Sequence, residues 1–345
     1  MRKDLFQQRV SETIGGINLL NSSSITTFLG EDKVIIFGSK CRCIRSLQEK
    51  LPLSKTIQVN GEDLQKVLSA MPSAEDFQIT LSDSTVTFRQ NRFKASIPLI
   101  EGEMEEMSTE IESSISMTKE EWASWQLAAP FAASPNNTSM PELSTIFQNE
   151  SGIWACNRLS MIQITSHRNT LSDVVFPKMA IAALQKMKVE PKEIELKENQ
   201  IIFAFEDGVL EVSQLSSDFP IDALRKIMEG EKSGMQWTCI KRDMDEGLNS
   251  LSGLTEQVHL SFQAKRLILS GSGNLFSQYQ VLGKAVGEVP TEKFLIPIEE
   301  LKRIVGLSEE EIEWNVDGDR GMLFVQGENF QACISLTVEE NEEES

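Results

Sequence analysis

The sequence predicts an α+β protein of three tandem domains, each carrying two helices laid on antiparallel sheet. Three observations lead there. Three stretches share one order of elements: "TIQVNGEDLQKVLSAMPSAEDFQITLSDSTVTFRQNRFKASIPL" from Thr56, "DVVFPKMAIAALQKMKVEPKEIELKENQIIFAFEDGVLEVSQLSSDFP" from Asp173, and "KFLIPIEELKRIVGLSEEEIEWNVDGDRGMLFVQGENFQACISLTV" from Lys293. Each reads as a strand end, one helix of about three turns, then three short strands. Asn60, Pro177 and Pro297 mark the helix starts as N-cap or N1 residues, and they stand 117 and 120 residues apart. A third of the 345-residue chain is 115, so the period fills the chain three times, which means tandem domains rather than a short solenoid repeat.

Within the three helices the apolar sets are Leu64, Val67 and Leu68; Ile181 and Leu184 with their neighbouring alanines; and Leu301, Ile304 and Val305. Their i, i+3, i+4 spacing buries one stripe against a sheet. The front half of each unit supplies a second helix. Residues 3–17 place Phe6, Val10, Ile14 and Ile17 along one face. Residues 118–129 open with Thr118 and Glu121 in capping-box spacing and run on through Trp122, Trp125 and Leu127. Residues 241–251 ("KRDMDEGLNSL") form the third. Alternating strands follow each: "KVIIFGSKCRCIRSL", "GIWACNRLSMIQI" and "QVHLSFQAKRLILSGSG". The acidic stretch Glu101–Glu112 and the segment Glu229–Gly234 read as linkers, which sets domains at 1–112, 113–228 and 229–345, the last with an acidic tail, "EENEEES".

The hydrophobic fraction of 40% and charged fraction of 25% are those of an ordinary globular protein. No apolar run reaches membrane length, and the first residues lead into no signal-peptide core. Five cysteines, Cys41, Cys43, Cys156, Cys239 and Cys333, are odd in number and lack framework spacing, which fits a reducing, cytoplasmic setting. Cys41 and Cys43 share one strand face, but His167 and His259 are in no ligand spacing with them, so neither a metal nor a cofactor is expected. No nucleophile–base pair, phosphate loop or carboxylate pair emerges, so no catalytic residue and no enzyme activity is expected. "SGSGN" at 270–274 reads as a hairpin turn because no lysine-bearing helix follows it. The net charge of −19 argues against an evenly basic, DNA-coating surface and leaves open one enclosed basic face.

One motif asks for more than a turn. "VLEVSQLSSDFP", Val209–Pro220, runs from a strand into an apolar residue locked to a proline, a plain stop signal on local grounds. With "FPKMAIAAL" and "IELKENQIIFAFEDG" before it, the whole resembles, in order, the proline-led helix, the "N-x-[IV]-x-F" strand and the "S-R-L-x-x-x-F-P" ending of the bacterial-type replicative sliding clamp, the beta processivity subunit of DNA polymerase III. "IWACNRLSM" is similar to that family's "A-T-D-G-H-R-L-A" through Ala155, Cys156, Asn157, Arg158 and Leu159, with cysteine in place of threonine and without the glycine–histidine pair. His167-Arg168 offers a rival placement that leaves too few residues before Phe176-Pro177.

The resemblance implies a head-to-tail homodimer closing into a ring of six domains with helices lining a hole for double-stranded DNA, held without regard to sequence. On that reading Arg9, Lys66, Lys178, Lys186, Lys241, Arg242, Lys302 and Arg303 face the DNA, and Phe93, Leu251 and Leu254 lie at the subunit interface. It also implies a hydrophobic cleft between domains 2 and 3 that takes short peptides of the replicative DNA polymerase and the clamp loader. Its residues would be Leu143, Cys156, Arg158, Leu159, Pro220, Ile227, Ile334 and Leu336. The departures from the family pattern point to a divergent, viral-like clamp. The alternative is a clamp-fold interaction scaffold that does not encircle DNA.

Overall fold

The computed structural model describes residues 3–20, 25–72, 76–102, 113–134, 139–165, 173–214, 218–230, 234–263, 265–271 and 277–338. Most of the expected linkers, His167-Arg168, the tip of the 270–274 turn, Leu215 and the acidic end lie outside the described residues.

The elements recur three times. The first series is α1 (Lys3–Leu20), β1 (Thr26–Leu29), β2 (Lys33–Phe37), β3 (Cys41–Ser46), β4 (Ile57–Asn60), α2 (Gly61–Ala70), β5 (Gln78–Leu81), β6 (Thr85–Gln90) and β7 (Phe93–Pro98). The second is β8 (Ile115–Ser116), α3 (Lys119–Ala128), β9 (Thr145–Asn149), β10 (Gly152–Cys156), β11 (Ser160–Ile164), β12 (Val174–Pro177), α4 (Lys178–Met187), β13 (Glu193–Lys197), β14 (Gln200–Phe205) and β15 (Gly208–Ser213). A short helix, α5 (Ile221–Glu229), leads to the third: β16 (Met235–Ile240), α6 (Lys241–Ser252), β17 (Gln257–Gln263), β18 (Arg266–Gly271), β19 (Gln278–Val286), β20 (Phe294–Pro297), α7 (Ile298–Leu307), β21 (Glu311–Asp317), β22 (Met322–Gln326), β23 (Phe330–Ser335) and β24 (Thr337–Val338).

The helix starts follow from the residues identified in the sequence. Asn60, Pro177 and Pro297 are the N-caps of α2, α4 and α7, and Asn60 accepts a hydrogen bond from the Asp63 amide at 3.1 Å. Ahead of α3, the Thr118 amide donates to Glu121 Oε2 at 2.9 Å and the Glu121 amide donates to Thr118 Oγ1 at 3.1 Å, a reciprocal capping box. The apolar stripes are buried as their spacing requires: Phe6, Val10, Ile14 and Ile17; Leu64 and Leu68; Trp122 and Trp125; Ile181 and Leu184; Leu301, Ile304 and Val305. Leu127 is 47% exposed, because it lies two residues past Trp125 and so turns away from the tryptophan face.

Two compact units divide the contacts: Met1–Ala123 with Val175–Ser216, and Ser124–Val174 with Ser217–Ser345. In the first, a sheet runs β4-β1-β2-β3-β15-β14-β13-β8, beside a three-stranded sheet β5-β6-β7. Helix α1 packs on α4, and the approach is close: a Cβ on Gly16 would sit 2.9 Å from the Ala183 carbonyl. Arg45 on β3, almost fully buried, donates to Asp207 Oδ2 at 2.9 Å and reaches Thr13 Oγ1 and the Met187 carbonyl at 3.4 Å each. That buried guanidinium is compensated by carboxylates, as burial of a charge demands.

In the second unit the strand order is β9-β10-β11-β23-β22-β21-β16-β19-β18-β17-β20-β24. Sheet thus passes from the second series to the third through β11 and β23, as it passes from the first to the second through β3 and β15. The two junctions have the same register. Arg45 faces Gly208 and Ile164 faces Phe330; one step on, the Ser46 amide donates to the Asp207 carbonyl at 2.7 Å and the Thr165 amide to the Asn329 carbonyl at 2.8 Å.

The strand that prompted the Phe-Pro question ends at Ser213, earlier than its sequence suggests. Phe219 belongs to the second unit, where its ring stacks on Phe147 with centroids 5.4 Å apart, and Pro220 is the N-cap of α5. The proline starts a helix rather than ending a strand. All five cysteines are buried and free. Among the described residues no helix is long and apolar enough to cross a membrane, and no cluster of metal-binding side chains occurs.

Candidate functional site

Around the 157–160 turn, between β10 and β11, the second unit gathers the side chains expected to form a peptide cleft. Asn157 shapes that turn: its Oδ1 accepts the Leu159 and Ser160 amides, both at 2.7 Å. The result pushes Leu159 outward, 44% exposed, and leaves Arg158 exposed with Nη2 donating to Ser139 Oγ at 2.5 Å. Cys156 ends β10 and is buried; its thiol pKa is pushed up to about 12, chiefly by desolvation. Leu143, on the single turn Pro141–Ser144, is also buried, and its carbonyl accepts the Ala133 amide at 2.7 Å.

The third-series side of the site is tied to this turn by backbone. The Ser335 amide donates to the Leu159 carbonyl at 2.8 Å, and Ser160 faces Ile334 across the β11–β23 pair. The Leu336 amide then donates to Gly321 at 2.7 Å, on the turn between β21 and β22. From that same turn Arg320 donates to the Ile227 carbonyl at 3.1 Å, which joins the end of α5 to the group. Hydrogen bonds thus tie the Leu159 turn to the chain segment that carries Ile334 and Leu336, that segment to the Arg320–Gly321 turn, and that turn to Ile227. Ile334 and Leu336 are buried, Pro220 and Ile227 are half-buried, and Leu159 is exposed.

The eight cations expected to face DNA differ in how free they are. Lys66, Lys186 and Arg242 are exposed. Lys66 reaches Asp63 at 3.5 Å and Arg242 reaches Glu246 at 3.7 Å, weak surface pairs. Lys178 and Lys302 are half-buried, and among the described residues neither Lys186 nor Lys302 has an ion-pair partner. Three others are engaged inside the fold. Arg9 pairs with Asp207. Lys241 Nζ donates to the Gly306 and Ser308 carbonyls at 2.9 and 2.8 Å, closing the C-terminus of α7. Arg303 Nη1 meets Glu300 Oε2 at 2.8 Å, and its guanidinium carbon stands 5.8 Å from the Phe131 ring centroid.

Of the expected interface residues, Phe93 is half-buried at the start of β7, and Leu254 is 53% exposed just beyond α6. Leu251 is 2% exposed: with Met244 and Leu248 it forms the inward stripe of α6, so it serves the core of its own unit. Nothing in the local sequence singles out Glu300 or Arg320. Glu300 reads as one more acidic residue in a helix first turn, and Arg320 as a charge in a turn. Their roles depend on contacts more than ninety residues away in sequence.

No protein-family model matches the chain, and no curated protein sequence does. Solved structures do. A DNA polymerase III subunit beta from Pseudomonas aeruginosa superposes with a TM-score of 0.75 at 10% identity, covering 98% of both chains. The DNA polymerase III beta subunit from Thermotoga maritima gives 0.75 at 10% identity, with 96% of this chain and 97% of that one covered. The Caulobacter crescentus pol III beta gives 0.76 at 13% identity, covering 98% of both. At such identities the likeness is one of fold, and it extends over the whole length: the chain has the fold of the bacterial beta sliding clamps.

Proposed function

We propose that the protein is a sliding clamp: two copies close head to tail around double-stranded DNA and tether a replicative polymerase through a peptide seated beside Leu159. The domains are then 1–112, 113–228 and 229–345, and the chemistry is binding rather than catalysis. The observation that carries this reading is the repeated strand junction. The strand that closes the first meander of one series pairs with the strand that closes the second meander of the next, β3 with β15 and β11 with β23, each in the same register. Two strands remain without such a partner among the described residues: β7, paired to β6 alone, and the 278–282 part of β19, paired to β18 alone. Open strand edges of this kind are templates for pairing.

Continuing the junction rule, β7 of one copy would pair with β19 of another. Phe93, the first residue after the Asn91-Arg92 turn, corresponds to Gly208 and Phe330. Val281, one residue before the partner of Arg266, corresponds to Arg45 and Ile164. The rule therefore sets Phe93 opposite Val281 and Ala95 opposite Tyr279. A head-to-tail contact that closes yields a ring, and three series per chain make two copies the simplest closure.

The test is a disulfide across that junction. Ala95→Cys and Tyr279→Cys stand opposite in a non-hydrogen-bonded pair, where side chains lie closest. All five native thiols are buried, so background crosslinking is low. Oxidation of the double variant should give a covalent species of 77.4 kDa, twice the 38.7 kDa chain, or a doubly linked ring of that mass. A species that stays at 38.7 kDa at micromolar concentration contradicts the closure. Loader and polymerase partnership, a cytoplasmic setting and sequence-independent DNA binding follow from the same reading. A scaffold that binds partners without encircling DNA would crosslink equally well; retention on circular but not on linear DNA separates the two.

A further inference from the structure

We infer that Glu300 is a positioning residue for the partner cleft, holding the Asn157–Ser160 rim from a helix that carries candidate DNA-facing cations; this rests on the cleft reading above. Glu300 is 8% exposed although it sits in the first turn of α7. Both of its oxygens are used. Oε1 accepts from Asn157 Nδ2 at 3.3 Å, while Oε2 accepts from Ser160 Oγ at 2.5 Å and from Arg303 Nη1 at 2.8 Å. A carboxylate this buried has to be compensated by donors. Two of its three donors lie 140 and 143 residues away, on the rim of the expected cleft.

The consequence for the rim is geometric. Asn157 accepts the Leu159 and Ser160 amides with Oδ1, which leaves its Nδ2 to be held by Glu300. Glu300 thereby fixes the Asn157 amide plane, and the amide plane sets the turn from which Leu159 projects. The rim is also tied from the other side, because the Ser335 amide donates to the Leu159 carbonyl beside Ile334, an expected residue of the same cleft. Arg303 completes the charge balance and itself rests on Phe131, so the helix end is braced on second-series residues as well. An unbraced rim would have to be ordered when a peptide binds, at a cost in affinity.

Two readouts test this separately. The first is hydrogen exchange at the Leu159 and Ser160 amides, which needs no ligand. In Glu300→Ala these amides should exchange at least about tenfold faster, with amides of β21 and β22 unchanged; Glu300→Gln, which keeps an acceptor for Ser160, should restore most of the protection. Ser160→Ala provides a milder perturbation should Glu300→Ala fail to fold, and it should give a smaller increase in the same direction. Unaltered exchange at both amides in the variants that fold overturns the positioning role. The second readout is the affinity of a fluorescein-labelled hexapeptide bearing two leucines and a phenylalanine among polar residues. Glu300→Ala should weaken it about tenfold, and Glu300→Gln about threefold or less. A peptide that binds wild type and Leu159→Asp alike contradicts the cleft reading while leaving the exchange result standing. Faster rim exchange with undiminished binding of a Leu159-dependent peptide overturns the positioning inference alone.

Discussion

Leu159→Asp isolates the exposed apolar residue of the proposed partner site. Full burial of a leucine side chain is worth about 1.5–3 kcal/mol. Leu159 is 44% exposed in the free chain, so a peptide that covers it can add roughly 1 kcal/mol from the remaining surface. Aspartate forfeits that and brings a carboxylate against an apolar ligand, a further cost of about 1–3 kcal/mol. The sum of about 2–4 kcal/mol corresponds to a loss of about 30- to 900-fold in affinity. The fold should hardly notice. The Leu159 amide and carbonyl keep their bonds to Asn157 and Ser335, and exposed substitutions usually change stability by under about 0.5 kcal/mol. Fluorescence anisotropy with the labelled hexapeptide measures the first effect, and urea unfolding the second. An affinity within twofold of wild type, at unchanged stability, would refute the assignment of Leu159 to the partner site.

Other outcomes follow from the same geometry. Lys186→Ala with Lys302→Ala should lower the dependence of DNA retention on salt by up to about 0.9 log units per lost phosphate contact, without preference for any base sequence. Lys241→Ala should instead lower stability by about 1 kcal/mol, through the lost closure of α7, with a smaller effect on DNA, and paired unfolding and retention curves tell these apart. Burial pushes the thiols of Cys43, Cys156 and Cys239 up to about 12 and that of Cys41 up to about 11, from an ordinary 9.0. Their folded pKa values exceed the unfolded ones, so this stability is complete below about pH 9 and is lost as pH climbs toward 11 and 12. Iodoacetamide at pH 8 should accordingly modify these thiols only after urea unfolding; rapid labelling of the native protein would contradict their burial.

The repeat was legible because apolar period and helix caps are local signals. Leu64 and Leu68, Ile181 and Leu184, and Leu301 and Ile304 announce their faces without knowledge of the sheet they cover, and Asn60, Pro177, Pro297 and the Thr118–Glu121 box announce where helices begin. Strand ends were harder. β15 stops at Ser213, and the apolar residue that seemed to end it, Phe219, instead packs on Phe147. Leu251 looked available for an interface because helix spacing alone does not say how wide the buried stripe is, and on α6 it reaches Leu251. The candidate site was legible residue by residue only through the resemblance. What binds its rim together was not, since Glu300 and Arg320 act on residues far away in sequence. Charge gave the sign of the cations but not their freedom: Arg9, Lys241 and Arg303 are held by Asp207, the end of α7 and Glu300.

Encirclement of DNA is tested most directly by topology. The Ala95→Cys, Tyr279→Cys protein is mixed with nicked circular DNA, oxidised to lock the junction, and washed at high salt, which removes phosphate-bound protein. Locked protein should stay with circular DNA through the wash and leave when a single restriction cut makes the circle linear. Loss from circular and linear DNA alike, with the crosslink formed, would contradict a ring around DNA.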